Sequence, residues 1–225
     1  MTTHSSSPPV PRATLPPIHH HKNNVSNLTE KEMKFLLKFF SNKVPCNLLV
    51  FGHEHEYSNV AALNVKGVTV FLQSNPSTTR STNNTKVYKI AYNTVASEAY
   101  KLLKDARENE DCKRDLTLPK GSKCNLRLSN LPLEVYDTMW DVVIVDGPNG
   151  DTPDSPGRMS VIYTTSVLAR RGNKTHVLVH DVDRMIEKWF AREFLCEENL
   201  VYSKGRFWNF EILGGVANAK KFCIA

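Results

Sequence analysis

The chain has 225 residues and no uninterrupted apolar run of about 18 residues, the length a membrane-crossing helix needs. Its first residues lack the apolar core of a secretory signal. The five cysteines, at 46, 112, 124, 196 and 223, include no CxxC pair, which argues against a zinc site. An RNP-like aromatic motif, zinc-finger spacing and a continuous basic helix are all missing. Nucleic acid is therefore not the expected partner, although the net charge is +6.

What is present is ordinary for a globular protein. Hydrophobic residues make up 40% and charged residues 23%, and the length suits one sizeable α/β domain with a tail. A basic balance favours an acidic partner: a nucleic acid, an anionic membrane or an acidic polysaccharide. The bland alternative is generic surface charge. Cys112 and Cys124 flank a polar loop and could close a disulfide there; the alternative is five free thiols in a reducing compartment. Sequons begin at Asn24, Asn27, Asn83 and Asn173, which is compatible with a secretory lumen.

Residues 1–27 are rich in Ser, Pro, His and Thr without periodicity and read as a disordered tail or stem; residues 28–225 read as one domain. The His19-His20-His21 tract in that tail is more simply incidental than metal-binding. Thr29-Glu-Lys-Glu32 is a capping-box pattern opening an amphipathic helix over 29–42. Strands are expected at 47–51, 68–72, 87–92, 141–145 and 176–180, with a short one at 126–128. Helices are expected at 57–64, 95–109, 158–171 and 184–196. Residues 200–203 and 206–212 read as a closing hairpin across Lys204-Gly205. Strands alternating with helices imply an α/β fold with a mainly parallel, Rossmann-like sheet covered on both faces.

The most informative stretch is Trp140-Asp-Val-Val-Ile-Val-Asp146-Gly-Pro-Asn-Gly, running on to Pro156-Gly-Arg-Met159. A buried parallel strand here delivers a carboxylate to the carboxyl edge of the sheet, where open α/β folds keep their sites. The helix that follows is expected to carry a basic face. His180 and Asp181 end the next strand. Neighbouring strand ends lie on the order of 5 Å apart, so Asp146, His180 and Asp181 are expected to converge. Such a cluster could position or deprotonate a hydroxyl, or hold a divalent cation, although a metal is not expected here. The bland alternatives are a half-buried His180 and an Asp181 that caps the next helix. The turn Gly52-His-Glu-His-Glu-Tyr57 stands where such folds cradle a cofactor, and metal binding by His53 and His55 ranks below a solvated loop. Gln73 and Asn75 end the second strand, where an acid would usually bind ribose hydroxyls. Arg158, after a rigid Pro-Gly turn, and Arg184 are candidates for binding a carboxylate.

These blocks together resemble the plant glucuronoxylan 4-O-methyltransferase family, which includes the irregular-xylem-type xylan biosynthesis proteins. The resemblance rests on Cys46-Asn-Leu-Leu-Val-Phe-Gly52, Trp140–Gly147, Ser155-Pro-Gly-Arg-Met159, Val179-His-Asp181 with Asp183-Arg184, and Gly205-Arg-Phe-Trp-Asn-Phe210, in order over roughly 30–213. It implies a methyltransferase-type sheet. It also implies S-adenosylmethionine-dependent methyl transfer to the 4-hydroxyl of glucuronic acid side chains of xylan, in the Golgi lumen. On that basis Gly52, Gln73 and Asn75 serve the cofactor and Asp146 lines the reaction centre. His180 and Asp181 activate the hydroxyl, while Arg158 and Arg184 meet the uronate. Two alternatives come from the same resemblance. One is a noncatalytic relative that binds polysaccharide or joins a cell-wall biosynthetic complex; the other is a methyltransferase on arabinogalactan glucuronic acid. The sequence departs from the family at two points. Glu54 stands where family members carry a second glycine, and Gln73-Ser-Asn75 stands where they carry acidic residues. The resemblance also implies an N-terminal membrane anchor. None is present in these residues, so a truncated or divergent form is expected.

Overall fold

The computed structural model describes residues 28–76, 79–82, 84–113, 123–215 and 222–223. The stretch read as a tail, the His tract and the sequons at Asn24, Asn27 and Asn83 lie outside the described residues.

Helix α1 (Glu30–Ser41) opens as the capping box foretells. Thr29 Oγ1 accepts from Glu32 N–H, and the Glu32 carboxylate accepts from Thr29 N–H. Strand β1 (Asn47–Phe51) leads through the Gly52 turn to α2 (Ser58–Leu63) and β2 (Val68–Gln73). Two strands follow, β3 (Arg80–Ser81) and β4 (Thr85–Lys89), then α3 (Ala99–Glu108) and α4 (Leu133–Asp137). The second half runs β5 (Val142–Val145), α5 (Met159–Ala169), β6 (Lys174–Val179), α6 (Met185–Phe194), β7 (Leu200–Lys204) and β8 (Phe207–Leu213).

The strands form one sheet in the order β3-β4-β2-β1-β5-β6-β8-β7. The five from β4 to β6 are parallel, and β8 is inserted antiparallel between β6 and β7. Leaving aside the two-residue β3, this is the mainly parallel, Rossmann-like sheet expected from the alternation of strands and helices, with the reversed hairpin at its edge. The central strands are apolar and buried on both faces, as a parallel sheet between helical layers requires. One core joins the sheet to α3, α5 and α6; the other joins it to α1 and α2 through Leu36, Phe40 and Val60.

Two expectations need correction. Residues 126–128 are not a strand: Leu128 N–H donates to Thr164 Oγ1 at 3.1 Å rather than to a ladder. The basic face expected on the helix after β5 is also absent. All eleven residues of α5 are buried, and Arg158 and Arg170 at its ends are only 2% and 3% exposed. A helix apolar all round belongs in a core.

Candidate functional site

Register decides which residues meet. Phe51 pairs with Leu72 and with Val145, and Val145 pairs with Val179. The next residue on each strand is Gly52, Gln73, Asp146 and His180, so all four stand at the same carboxyl edge. A β-carbon on Gly52 would lie 3.5 Å from that of Asp146 and 3.4 Å from the Tyr57 ring. Those are ordinary contacts; the β1 and β5 turns approach closely at Gly147, where an added β-carbon would lie 3.3 Å from the Gly52 backbone.

Asp146 is 5% exposed and its carboxylate is fully used. Oδ1 faces His180 Nδ1 at 2.7 Å and accepts from Arg158 Nη2 at 3.2 Å; Oδ2 accepts from the Tyr57 hydroxyl at 2.7 Å. Burial works to raise its pKa, but His180, Arg158 and Tyr57 outweigh that and hold the carboxyl below the usual range. Burial and the facing Asp146 carboxylate push the Tyr57 phenol well above its ordinary value, so it stays a donor.

His180 is fully buried, and both ring nitrogens face carboxylates: Asp146 on one side, Glu32 Oε1 at 3.4 Å on the other. Neither nitrogen is turned toward a substrate. The reading of His180 as the group that activates a hydroxyl is therefore revised; its contacts are those of a residue that positions Asp146.

Asp181 has φ +57°, a strained value for a non-glycine residue. Three guanidinium groups meet its carboxylate: Arg158 Nη2 at 2.8 Å, Arg206 Nη1 at 2.7 Å, and Arg184. It does not cap α6, whose N-cap, Arg184, makes no side-chain cap bond. Arg158 also departs from expectation. Its side chain is buried, and besides the two aspartates it donates to the Pro148 and His180 carbonyls. It cannot also present a free fork to a uronate, because its donors are engaged inside the protein. Arg184 remains at the rim, with its side chain 35% exposed.

Sequence reasoning missed four participants or their roles. Glu32 was explained by its capping box, yet it also reaches Arg206, accepting from its backbone N–H at 3.0 Å. Burial raises its pKa, but hydrogen bonds from Thr29 and Arg206 more than offset this and hold it at about 2. Arg206 and Tyr57 stood within quoted blocks, but nothing in them pointed to contacts with Asp181 or Asp146. Glu187 lies 4.0 Å from Arg158 Nε, and its Oε2 has no hydrogen-bond partner among the described residues; burial raises its carboxyl above the usual range.

Asp146, His180 and Asp181 bring ligand atoms within 4.8 Å of one another, a grouping that could hold a cation. Here the Arg158 guanidinium bridges the two aspartates, supplying the positive charge a metal would bring. On the cofactor side, Gln73 is buried, Asn75 is exposed, and Glu54 is partly exposed. Gln73, Asn75 and the peptide groups of the Gly52 turn offer neutral donors and acceptors at this edge, the kind a nucleoside would use, with no carboxylate on Gln73 or Asn75 for a ribose.

A family model described as IRX15/IRX15L/GXM matches residues 31–210. The chain belongs to this family. Relatives in the IRX15/IRX15L/GXM family include three from Arabidopsis thaliana. Arabinogalactan O-methyltransferase 2 is 39% identical over 81% of this chain and 66% of its own length. Glucuronoxylan 4-O-methyltransferase 2 is 38% identical over 82% and 65%. Protein IRX15-LIKE is 44% identical over 80% and 59%. The chain thus spans about two thirds of the length of these relatives or somewhat less. Among solved structures, a methyltransferase-like protein from Silicibacter pomeroyi covers 84% of this chain and 88% of its own, with 14% identity and a TM-score of 0.45.

Proposed function

We propose that the protein transfers a methyl group from S-adenosylmethionine to the 4-hydroxyl of glucuronic acid side chains on xylan. The observation that carries this is the alignment of Gly52, Gln73, Asp146 and His180 at one sheet edge in a chain some of whose relatives are named for this reaction. S-adenosylmethionine supplies an electrophilic methyl group; the peptide groups at Gly52 and the amides of Gln73 and Asn75 hold it. Asp146 keeps a carboxylate at the reaction centre. Its lowered pKa makes it a poor proton acceptor and its hydrogen bonds are taken by His180, Arg158 and Tyr57, so it acts through its negative charge, which favours the positive charge that develops on the acceptor oxygen as the S–CH3 bond breaks and the O–CH3 bond forms, the hydroxyl proton leaving to solvent. His180, Tyr57 and Arg158 fix its orientation. Arg184, at the rim, meets the uronate carboxylate.

The lumen of the Golgi is the compartment this reading requires. Cys112–Cys124 and Cys196–Cys223 are bonded, and disulfides persist in oxidising compartments. A second reading is a noncatalytic polysaccharide-binding member of a cell-wall biosynthetic complex. Glu54 and Gln73, which weaken the cofactor side, favour it. Incubation with labelled S-adenosylmethionine and unmethylated glucuronoxylan or arabinogalactan separates these readings. Label at the 4-position of glucuronate on xylan is expected. Label only on arabinogalactan would reassign the acceptor, and no label on either would favour the noncatalytic reading.

A further inference from the structure

An open groove of about 770 Å³, lined by none of the strand-end cluster's own residues, lies between the outer face of α1 and β7. Its floor is aromatic. Phe35 and Tyr202 meet edge to face at 5.6 Å, and the Phe39 ring stands 5.4 Å from that of His176. All are partly or largely buried in the groove wall rather than projecting from it. Its rim is basic. Lys31, Lys38 and Lys204 are exposed and make no ion pair among the described residues. Lys34 pairs with Glu30 at 2.6 Å, outside the groove lining, and Lys43 donates to His176 Nε2 at 2.8 Å. Among the described residues, no Asp or Glu lines the groove.

The sequence builds this face deliberately. Positions 31, 34, 35, 38, 39 and 42 recur at helical spacing and share one stripe of α1, while Leu36 and Phe40 bury the opposite stripe. The same helix carries Glu32 into the strand-end cluster. Lys204 immediately precedes Gly205 and Arg206, and Arg206 bonds Asp181 and Glu32. The groove therefore begins at the edge of the candidate site and runs the length of a 12-residue helix, about 18 Å.

We propose that this groove is a docking track for an anionic polysaccharide, holding the chain that flanks the uronate to be methylated. This rests on the acceptor class proposed above. Aromatic faces on the floor match the apolar faces of sugar rings, and the lysine rim matches carboxylates. A flat bilayer would need protruding rings, whereas these line a concavity. A single nucleic-acid strand would suit the charge and the rings. Continuity with a site whose relatives act on uronate polymers favours the sugar.

The test uses the full chain and two variants: Lys31→Gln with Lys38→Gln and Lys204→Gln, and Tyr202→Ala. Each is titrated with glucuronoxylan, neutral arabinoxylan and oligo(dT) at two ionic strengths, with circular dichroism confirming the fold. Three exposed ion pairs lost together correspond to about tenfold or more in affinity. The triple variant should lose that much for glucuronoxylan and show a shallower salt dependence. Its KM for polymer should rise while its kcat on a short aldouronic acceptor stays unchanged. Tyr202→Ala should weaken both xylans. Unchanged glucuronoxylan affinity in both folded variants overturns the track, as does tighter binding of oligo(dT) than of glucuronoxylan by the wild type. Failure of the enzymatic reading looks different. Wild type that binds glucuronoxylan through these residues yet transfers no methyl group ends that reading and leaves the track standing.

Discussion

Nδ1 of His180 stands 2.7 Å from Oδ1 of Asp146, and the imidazole is fully buried. The pair separates two roles that a strand-end Asp and His are easily given together. Asp146 carries the charge, and His180 orients it. Asp146→Asn should lower kcat by about 100-fold or more, in the range seen when one preorganised electrostatic group is removed. His180→Asn should lower it less, and Asp146→Asn/His180→Asn together should cost little more than Asp146→Asn alone, because residues acting as a unit are non-additive. The cycle is read from kcat with thermal unfolding alongside. Near wild-type turnover in Asp146→Asn would remove it from the mechanism.

Arg158 offers a sharper separation between holding the site and holding the substrate. Its guanidinium bridges Asp146 and Asp181 with its side chain only 2% exposed. Arg158→Ala leaves buried carboxylates uncompensated and should destabilise the protein by about 3–5 kcal/mol. Arg184→Ala, at the rim, should raise the KM for acceptor with a much smaller loss of stability. A variant lacking Arg158 that keeps its unfolding midpoint and only raises KM would return Arg158 to the substrate.

Much of this edge was legible in the sequence because buried parallel strands read as unbroken apolar runs. The residue after each run lands at the sheet edge, and the observed register aligns Gly52, Asp146 and His180. The contacts that decide roles were not legible. Glu32 satisfied a complete local explanation, the capping box, so nothing signalled its reach to Arg206. The Leu-Arg-Leu alternation at 126–128 fits a strand, but Thr164 and Tyr136 take its backbone bonds instead. The basic residues around α5 read as an exposed face. Their burial depends on carboxylates and carbonyls supplied from β5, β6 and α6, which no local pattern reveals.

Glu32 also predicts an acid response. Its folded pKa is about 2 against an ordinary 4.5, so its ionised form contributes stability above about pH 4.5. That contribution is lost as the pH falls toward 2. Asp146, also held below its usual range, acts in the same direction. The unfolding midpoint should therefore fall steeply across that window. Glu32→Gln should start lower at neutral pH and fall less steeply. Parallel pH curves for the two proteins would show that Glu32 is not coupled to folding.

Cys112–Cys124 closes the loop the sequence suggested, whereas Cys196–Cys223 draws Phe222 onto Tyr163 and Phe194. The Arg170 guanidinium donates to the Phe222 carbonyl at 3.0 Å, so the bridge anchors a segment far from it in sequence. With the cysteines 27 positions apart in sequence, loop closure alone is worth roughly 3–4 kcal/mol. Cys196→Ser with Cys223→Ser should lower the unfolding midpoint by that equivalent in protein from a secretory host, and mass mapping should find both bridges in the wild type. An unchanged midpoint would mean the packing of Phe222 needs no covalent help.

The cofactor side gives the prediction with the widest consequence. Glu54 stands in the Gly52 turn where the family resemblance leads one to expect a glycine, and Gln73 ends β2 where it leads one to expect an acid. If S-adenosylmethionine enters in the usual pose, Glu54 adds bulk and negative charge beside its methionine or ribose region. A neutral amide forgoes a charge-assisted hydrogen bond to ribose, worth about 1.5–3 kcal/mol. Each change alone corresponds to about tenfold or more in affinity. Wild type should therefore bind S-adenosylmethionine weakly, and Glu54→Gly with Gln73→Glu should tighten binding by about 100-fold if the two sites act independently. Calorimetry on both proteins measures this without any acceptor present. Tight binding by the wild type would mean the cofactor lies in a different pose, away from Glu54. No binding by either protein would shift the weight to the noncatalytic reading. In that case Asp146 and its partners would be a stabilising core rather than a reaction centre.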